Sequence, residues 1–262
     1  MLYEITKVGF IIPVKMYFRF TGKNKQYVPK KGAAILASNH VSFLDHFIVP
    51  AVCTRKITYL AKAEYFEKRL SRWVFTHWGQ IPVKRGKGDK DALASAVDHL
   101  KTGELLGIYP EGTRSVDGFI HEGKTGVARL ALTTGAPIIP VGMLGSFEAM
   151  PKKQHYMKPK KITVVFGPPI DVTPFVGREE DRELCRALTD EVIFAIEKLT
   201  RPRHVIEPSL RTEMLKRRKE RPLESFLTEA NDTPRDEKDK GSVPRGRKRG
   251  NDAGKRRGKK QA

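Results

Sequence analysis

Ala33-Ala34-Ile35-Leu36-Ala37-Ser38-Asn39-His40-Val41-Ser42-Phe43-Leu44-Asp45 begins as an unbroken apolar run and ends on an imidazole followed five positions later by a carboxylate. The run predicts a buried strand, which places His40 and Asp45 in the loop at its end. Residues i and i+5 of a regular helix stand about 140° apart, so Asp45 reaches His40 only if the chain bends between them. A carboxylate holding one ring nitrogen leaves the other free for a substrate proton, as in an oriented histidine base. On these two residues alone, an ordinary loop histidine near a helix-capping aspartate is the better reading.

Working outward, further strand-like runs occur at 57–61, 79–83, 105–109, 137–144 and 162–166, with helical patterns at roughly 64–77, 89–101, 124–134 and 178–199. This alternation predicts an α/β fold, a largely parallel mixed sheet flanked by helices in a single domain. In the last helix Leu184, Leu188, Val192, Ile196 and Leu199 recur at helical spacing, the mark of a core-facing stripe. After Thr200 apolar content falls and charge rises, with one short amphipathic stretch near 208–228. The expected organisation is a membrane-interface segment at 1–21, a globular domain at 22–200 and a basic, mostly disordered tail at 201–262.

The chain has 262 residues and a net charge of +20. Residues 241–262 hold nine basic side chains against the single acid Asp252, so the tail either binds polyanions or stays solvated. Two cysteines, Cys53 and Cys185, argue against a disulfide scaffold, and no Cys/His cluster suggests a metal site. No segment has the roughly 18 apolar residues of a membrane span. At the N-terminus the apolar core runs only from Val8 to Val14 and includes Pro13, which excludes a signal peptide. Its aromatics, interleaved with Lys7, Lys15 and Arg19, suit an interfacial segment or, with nearly equal weight, a helix packed on the protein's own core.

Three further blocks follow NHVSFLD. They are Gly79-Gln80-Ile81-Pro82-Val83-Lys84-Arg85, Tyr109-Pro110-Glu111-Gly112-Thr113-Arg114-Ser115 and Ala136-Pro137-Ile138-Ile139-Pro140-Val141. In this order they resemble the four blocks of the glycerolipid acyltransferase family, the lysophosphatidic acid acyltransferases in particular. The resemblance implies an enzyme moving a fatty acyl group from a thioester, acyl-CoA or acyl carrier protein, to the free hydroxyl of 1-acyl-glycerol-3-phosphate, without an acyl-enzyme and without a cofactor. It implies His40 as general base with Asp45, and an acceptor site that includes Arg85, Glu111, Gly112, Thr113 and Arg114. Guanidinium groups suit a phosphate because they present two parallel donors and stay charged. Glu111 suits a role in orienting neighbours, since a carboxylate would repel the phosphate. The expected location is the cytoplasmic face of the plasma membrane, peripheral or monotopic, on an anionic surface; oligomeric state is left open.

Other readings compete. The acceptor could be another lysophospholipid or a glycolipid. Gly118 to Thr125 spells G-x4-G-K-T, a nucleotide-binding loop by letter, although no buried strand leads directly into it. The basic tail would also serve a nucleic-acid binder, a role not expected beside the complete motif set.

Overall fold

The computed structural model describes residues 14–77, 80–83, 89–154 and 156–227. In chain order the elements are β1 (Thr21–Lys23), β2 (Ala34–Ser38), α1 (Asp45–Val52), β3 (Ile57–Lys62), α2 (Arg69–His77), β4 (Ile81–Val83), α3 (Asp89–Lys101), β5 (Leu105–Ile108) and α4 (Gly126–Thr134). There follow β6 (Ile138–Leu144), α5 (Ser146–Ala149), β7 (Thr163–Phe166), α6 (Arg182–Thr200) and α7 (Pro208–Glu220). One seven-stranded sheet has the order β1-β7-β6-β2-β5-β3-β4. Strands β2 to β6 are mutually parallel; β7 runs antiparallel to β6, and β1 pairs parallel with β7. The mixed, largely parallel sheet expected from the alternation of elements is what the chain forms.

The central strand explains the packing. All five residues of β2 are buried. Ile35 and Ala37 enter a cluster with residues of α3, α4 and α6, while Ala34 and Leu36 enter a second cluster with Ile48 and Val49 of α1. A strand covered on both faces needs an unbroken apolar run, which is why this stretch has no alternation. Each fully buried Leu or Ile contributes about 1.5–3 kcal/mol. On α6, Asp181 caps the start by accepting from the amides of Glu183 and Leu184. The stripe Leu184, Leu188, Val192 and Ile196 is buried, as its spacing requires.

Three features depart from the sequence reading. Helix α1 was not expected, because Pro50 lies inside it and removes one backbone donor. The domain does not end at 200: Ile206, Met214 and Phe226 are buried in the larger cluster. Arg217 Nε on α7 donates to Asp190 Oδ2 on α6 at 2.9 Å, so the basic stretch is docked through at least residue 227. At the other end, residues 14–18 are helical, and Phe18 and Phe20 are buried in the smaller cluster, so the last part of the expected interface segment is core. Residues 1–13 and the remainder of the expected tail, 228–262, lie outside the described residues. Among the described residues no helix is long and apolar enough to cross a membrane.

Candidate active site

Adjacent parallel strands β2 and β5 send their chains in opposite directions. From β2 the chain passes through α1 to β3 on one side, and from β5 it passes through α4 to β6 on the other. The two helices belong to clusters on opposite faces of the sheet. Diverging connections open a crevice beyond the carboxyl ends of those strands, where ligands bind in open α/β sheets. NHVSFLD leaves β2, and YPEGTRS leaves β5, into this crevice.

The chain bends between His40 and Asp45. Asp45 Oδ2 accepts from the backbone amides of Val41 and Ser42, each at 2.9 Å, and lies 3.1 Å from His40 Nδ1. The two amides fix the carboxylate, and the carboxylate fixes the ring with Nδ1 as donor, leaving Nε2 as the nitrogen able to take a proton. Asp45 is fully buried, and its Oδ1 has no protein partner. Asn39 ties the loop to the neighbouring strand: its Oδ1 accepts from Met143 N at 2.7 Å and its Nδ2 donates to Met143 O at 3.2 Å. Ser42 is committed as well, donating through Oγ to Met150 O and accepting from Leu44 N.

Glu111 lies behind His40. Its Oε1 accepts from His40 N and its Oε2 from His121 N, both at 3.0 Å, and Ser115 N donates back to His40 O at 2.8 Å. With both oxygens taken by backbone amides, Glu111 orients the loops rather than meeting a ligand. Burial pushes its carboxyl up to about 7, against the amides of His121 and His40, which pull it down. Gly112 then turns the chain at a φ of 71°, a left-handed conformation that favours glycine.

A stack of rings surrounds His40, and the sequence reading did not find it. His40 lies on Tyr109 with centroids 3.9 Å apart and planes 18° apart; His46 and Tyr59 extend the stack. His46 Nδ1 is 2.8 Å from the Tyr109 hydroxyl. Burial, with His40 and Arg114 nearby, lowers the His46 pKa to about 4, so this imidazole is neutral at physiological pH. The Tyr109 hydroxyl is shifted well above its ordinary value by burial and by Tyr59. The signal available in sequence was slight: a histidine directly after Asp45, and a tyrosine where the family often has phenylalanine.

These side chains line a cavity of about 360 Å³. Its walls include the rings of His40, Phe43, Phe47 and Phe75 and the polar side chains of Thr113, Arg114 and Lys152. Lys152 donates to Thr113 Oγ1 at 3.2 Å and to Arg114 O at 3.1 Å. The lining therefore combines aromatic rings with cations, and the oriented histidine is part of it. The structure brings together His40, Asp45, Glu111, Gly112, Thr113 and Arg114; Arg85 falls in 84–88, outside the described residues. Among the described residues no group of His, Cys, Asp and Glu is placed to hold a metal ion.

The nucleotide-loop reading fails on its own donors. The amides of Gly118, Phe119, Ile120, His121 and Lys124 already donate to Ser115, Asp117, Val205, Glu111 and Pro110. A phosphate cradle requires those amides to be free.

Residues 19–144 match the family model Acyltransferase. A chloroplastic 1-acyl-sn-glycerol-3-phosphate acyltransferase of Arabidopsis thaliana is 27% identical over 150 residues, 56% of this chain and 42% of that protein. The chain thus spans less than half the length of that relative. A 1-acyl-sn-glycerol-3-phosphate acyltransferase of Borreliella burgdorferi is 27% identical over 173 residues, covering 65% of this chain and 68% of its own. The crystal structure of a 1-acyl-sn-glycerophosphate acyltransferase from Thermotoga maritima superposes with a TM-score of 0.58 at 23% identity, over 74% of this chain and 80% of that one, and so has the same fold. Over residues 19–144 the chain is thus similar to the acyltransferase family.

Proposed function

We propose that the protein transfers a fatty acyl group from a thioester to the free hydroxyl of 1-acyl-glycerol-3-phosphate, giving phosphatidic acid. The observation that carries this reading is His40 in the wall of a cavity lined by both aromatic rings and cations, held by the buried Asp45 3.1 Å away. His40 Nε2 takes the acceptor's hydroxyl proton as the oxygen attacks the thioester carbonyl. The tetrahedral oxyanion collapses, the carbon–sulfur bond breaks, and the imidazolium returns the proton to the departing thiolate. Asp45 holds the ring and stabilises the imidazolium meanwhile. Transfer is direct, because the only hydroxyl between base and carboxylate, that of Ser42, is buried and hydrogen-bonded away from the chemistry. Arg114, with Arg85 joining it, binds the acceptor phosphate, and the aromatic rings take an acyl chain.

The lysophospholipid acceptor and its acylated product partition to bilayers, so the protein works adsorbed on an anionic membrane surface, at the cytoplasmic face of the plasma membrane. Incubating purified protein with lysophosphatidic acid and acyl-CoA or acyl carrier protein thioester, and reading the lipids by mass spectrometry, tests this directly. Phosphatidic acid should form with the parent chain and not with His40→Ala. Equal turnover by a folded His40→Ala variant would remove the mechanism, and turnover only with another lysophospholipid or a glycolipid would change the acceptor.

A further inference from the structure

The loop after α5, residues 150–161, carries Lys152, Lys153, Lys158, Lys160 and Lys161 and no acid. Its tip exposes apolar side chains rather than burying them: Tyr156 is 64% exposed and Met157 50%. The Lys158 ammonium lies 5.6 Å from the centre of the Tyr156 ring, so cation and aromatic share one surface. The loop is fastened to the N-terminal helical turn, where the Tyr17 hydroxyl donates to Met157 O at 2.9 Å. That turn adds Met16, 78% exposed, and the exposed cations Lys15 and Arg19. Two chain segments 140 residues apart therefore carry four exposed apolar side chains and several exposed cations, and are joined by the Tyr17–Met157 bond. Exposed apolar groups gathered on one surface mark a binding face. Tyrosine and methionine mixed with lysine suit the interface of an anionic bilayer, where rings and thioethers enter the headgroup layer and ammonium groups meet lipid phosphates.

We infer that residues 150–154 and 156–161, together with Tyr17, form the surface through which the protein docks on an anionic bilayer. The other end of the loop explains why docking happens here. Met150 O accepts from Ser42 Oγ inside NHVSFLD, and Lys152 lines the catalytic cavity while bonding Thr113 and Arg114 O. One loop thus forms part of the cavity wall at its start and the bilayer contact at its tip. Docking by this face brings the cavity to the lipid surface from which amphiphilic substrates arrive. The choice of a bilayer as partner rests on the proposed acyl transfer between amphiphiles; the surface itself does not.

The test uses the full chain with Met157→Cys carrying a polarity-sensitive fluorophore; Cys53 and Cys185 are both buried and stay unlabelled. Vesicles of phosphatidylcholine mixed equally with phosphatidylglycerol should shift the emission to the blue and shield it from an aqueous quencher. Thr133→Cys, exposed on α4 across the sheet, should show neither effect. Changing Lys153, Lys158, Lys160 and Lys161 together to Glu should lower vesicle affinity at least about tenfold without lowering the melting temperature, since all four are exposed. A probe that stays aqueous while the protein sediments with vesicles would overturn the inference, as would failure to bind vesicles at all or a shift produced only by an acidic protein. Acylation and docking separate cleanly: a blue shift without any lysophospholipid acylation sinks the proposed function and leaves the surface standing. Turnover of a dispersed short-chain acceptor with no blue shift does the reverse.

Discussion

Asp45→Asn separates two things the carboxylate does for His40, orientation and charge. Oδ2 accepts all three donors, from His40 Nδ1, Val41 N and Ser42 N, while Oδ1 has no partner. An asparagine whose oxygen occupies the Oδ2 position keeps every one of those bonds and the same imidazole tautomer. Its amino group then takes the place of Oδ1, buried and unsatisfied, at a stability cost of about 1–3 kcal/mol. What the variant lacks is the negative charge beside the imidazolium. Two unit charges about 4 Å apart at an effective dielectric constant of about 20 interact by roughly 4 kcal/mol. At about 1.4 kcal/mol per decade, kcat should fall by roughly a thousandfold. KM for both substrates should change little, because the charge matters when the proton moves. The assay is thiol release from acyl-CoA at saturating acceptor, with circular dichroism to show that the variant is folded. Activity within about tenfold of the parent in a folded Asp45→Asn protein would refute the argument and leave Asp45 a purely structural brace.

Other outcomes follow from the same geometry. Glu111→Gln can accept only one of the amides of His40 and His121, and should cost about 1–3 kcal/mol in urea denaturation at pH 5. Because the folded carboxyl is raised to about 7, the native state holds its proton longer than the unfolded chain. The stability from this group is therefore complete below its ordinary value of 4.5 and is lost as pH rises through 7, a swing of roughly 3 kcal/mol that Glu111→Gln should abolish. The deficit of the variant should accordingly shrink between pH 5 and pH 8. Gly107→Ala would place a methyl 2.3 Å from the Tyr59 ring, displacing the stack around His40, and should lower stability by about 1–3 kcal/mol in thermal melts. Arg114→Lys keeps the charge but loses the two-pronged donor, and should raise the acceptor KM about tenfold while leaving the donor KM near the parent value. Truncation after residue 227 should leave the melting temperature unchanged. Truncation after residue 200 should lower it sharply, since Ile206, Met214 and Phe226 leave the core.

The fold was legible where one segment suffices to reveal it. Parallel strands buried on both faces write themselves as continuous apolar runs, and Ala33 to Ala37 and the run from Pro137 to Leu144 do so. The stripe of α6 is equally direct. Helix α1 was hidden by Pro50, and β1 by having only Thr21, Gly22 and Lys23 to show. The 201–227 region was misread because its anchoring is electrostatic as much as apolar. On α7 only Met214 is buried, and Arg217 and Arg211 hold it through Asp190 and Glu197, partners that no local pattern announces. At the site, a five-residue spacing was enough to pair His40 with Asp45. The stack of His46, Tyr109 and Tyr59 was not, because those rings come from three elements and meet only after the sheet has formed.

The stitching between the two main blocks has a consequence for how such a site can change over time. Glu111 grips the amide of His40, and Ser115 grips its carbonyl, so both ends of the segment Gly112-Thr113-Arg114 are pinned to the backbone of a single residue. The three residues between the pins form a bow over the cavity whose feet cannot move without moving the base. Within the bow, the side chains of Thr113 and Arg114 can change without moving its feet, as long as the turn at Gly112 survives. If the proposed function holds, acceptor preference would drift through Thr113 and Arg114 while His40 and Asp45 stay in place, and grafting a bow from a relative should carry its headgroup preference with it.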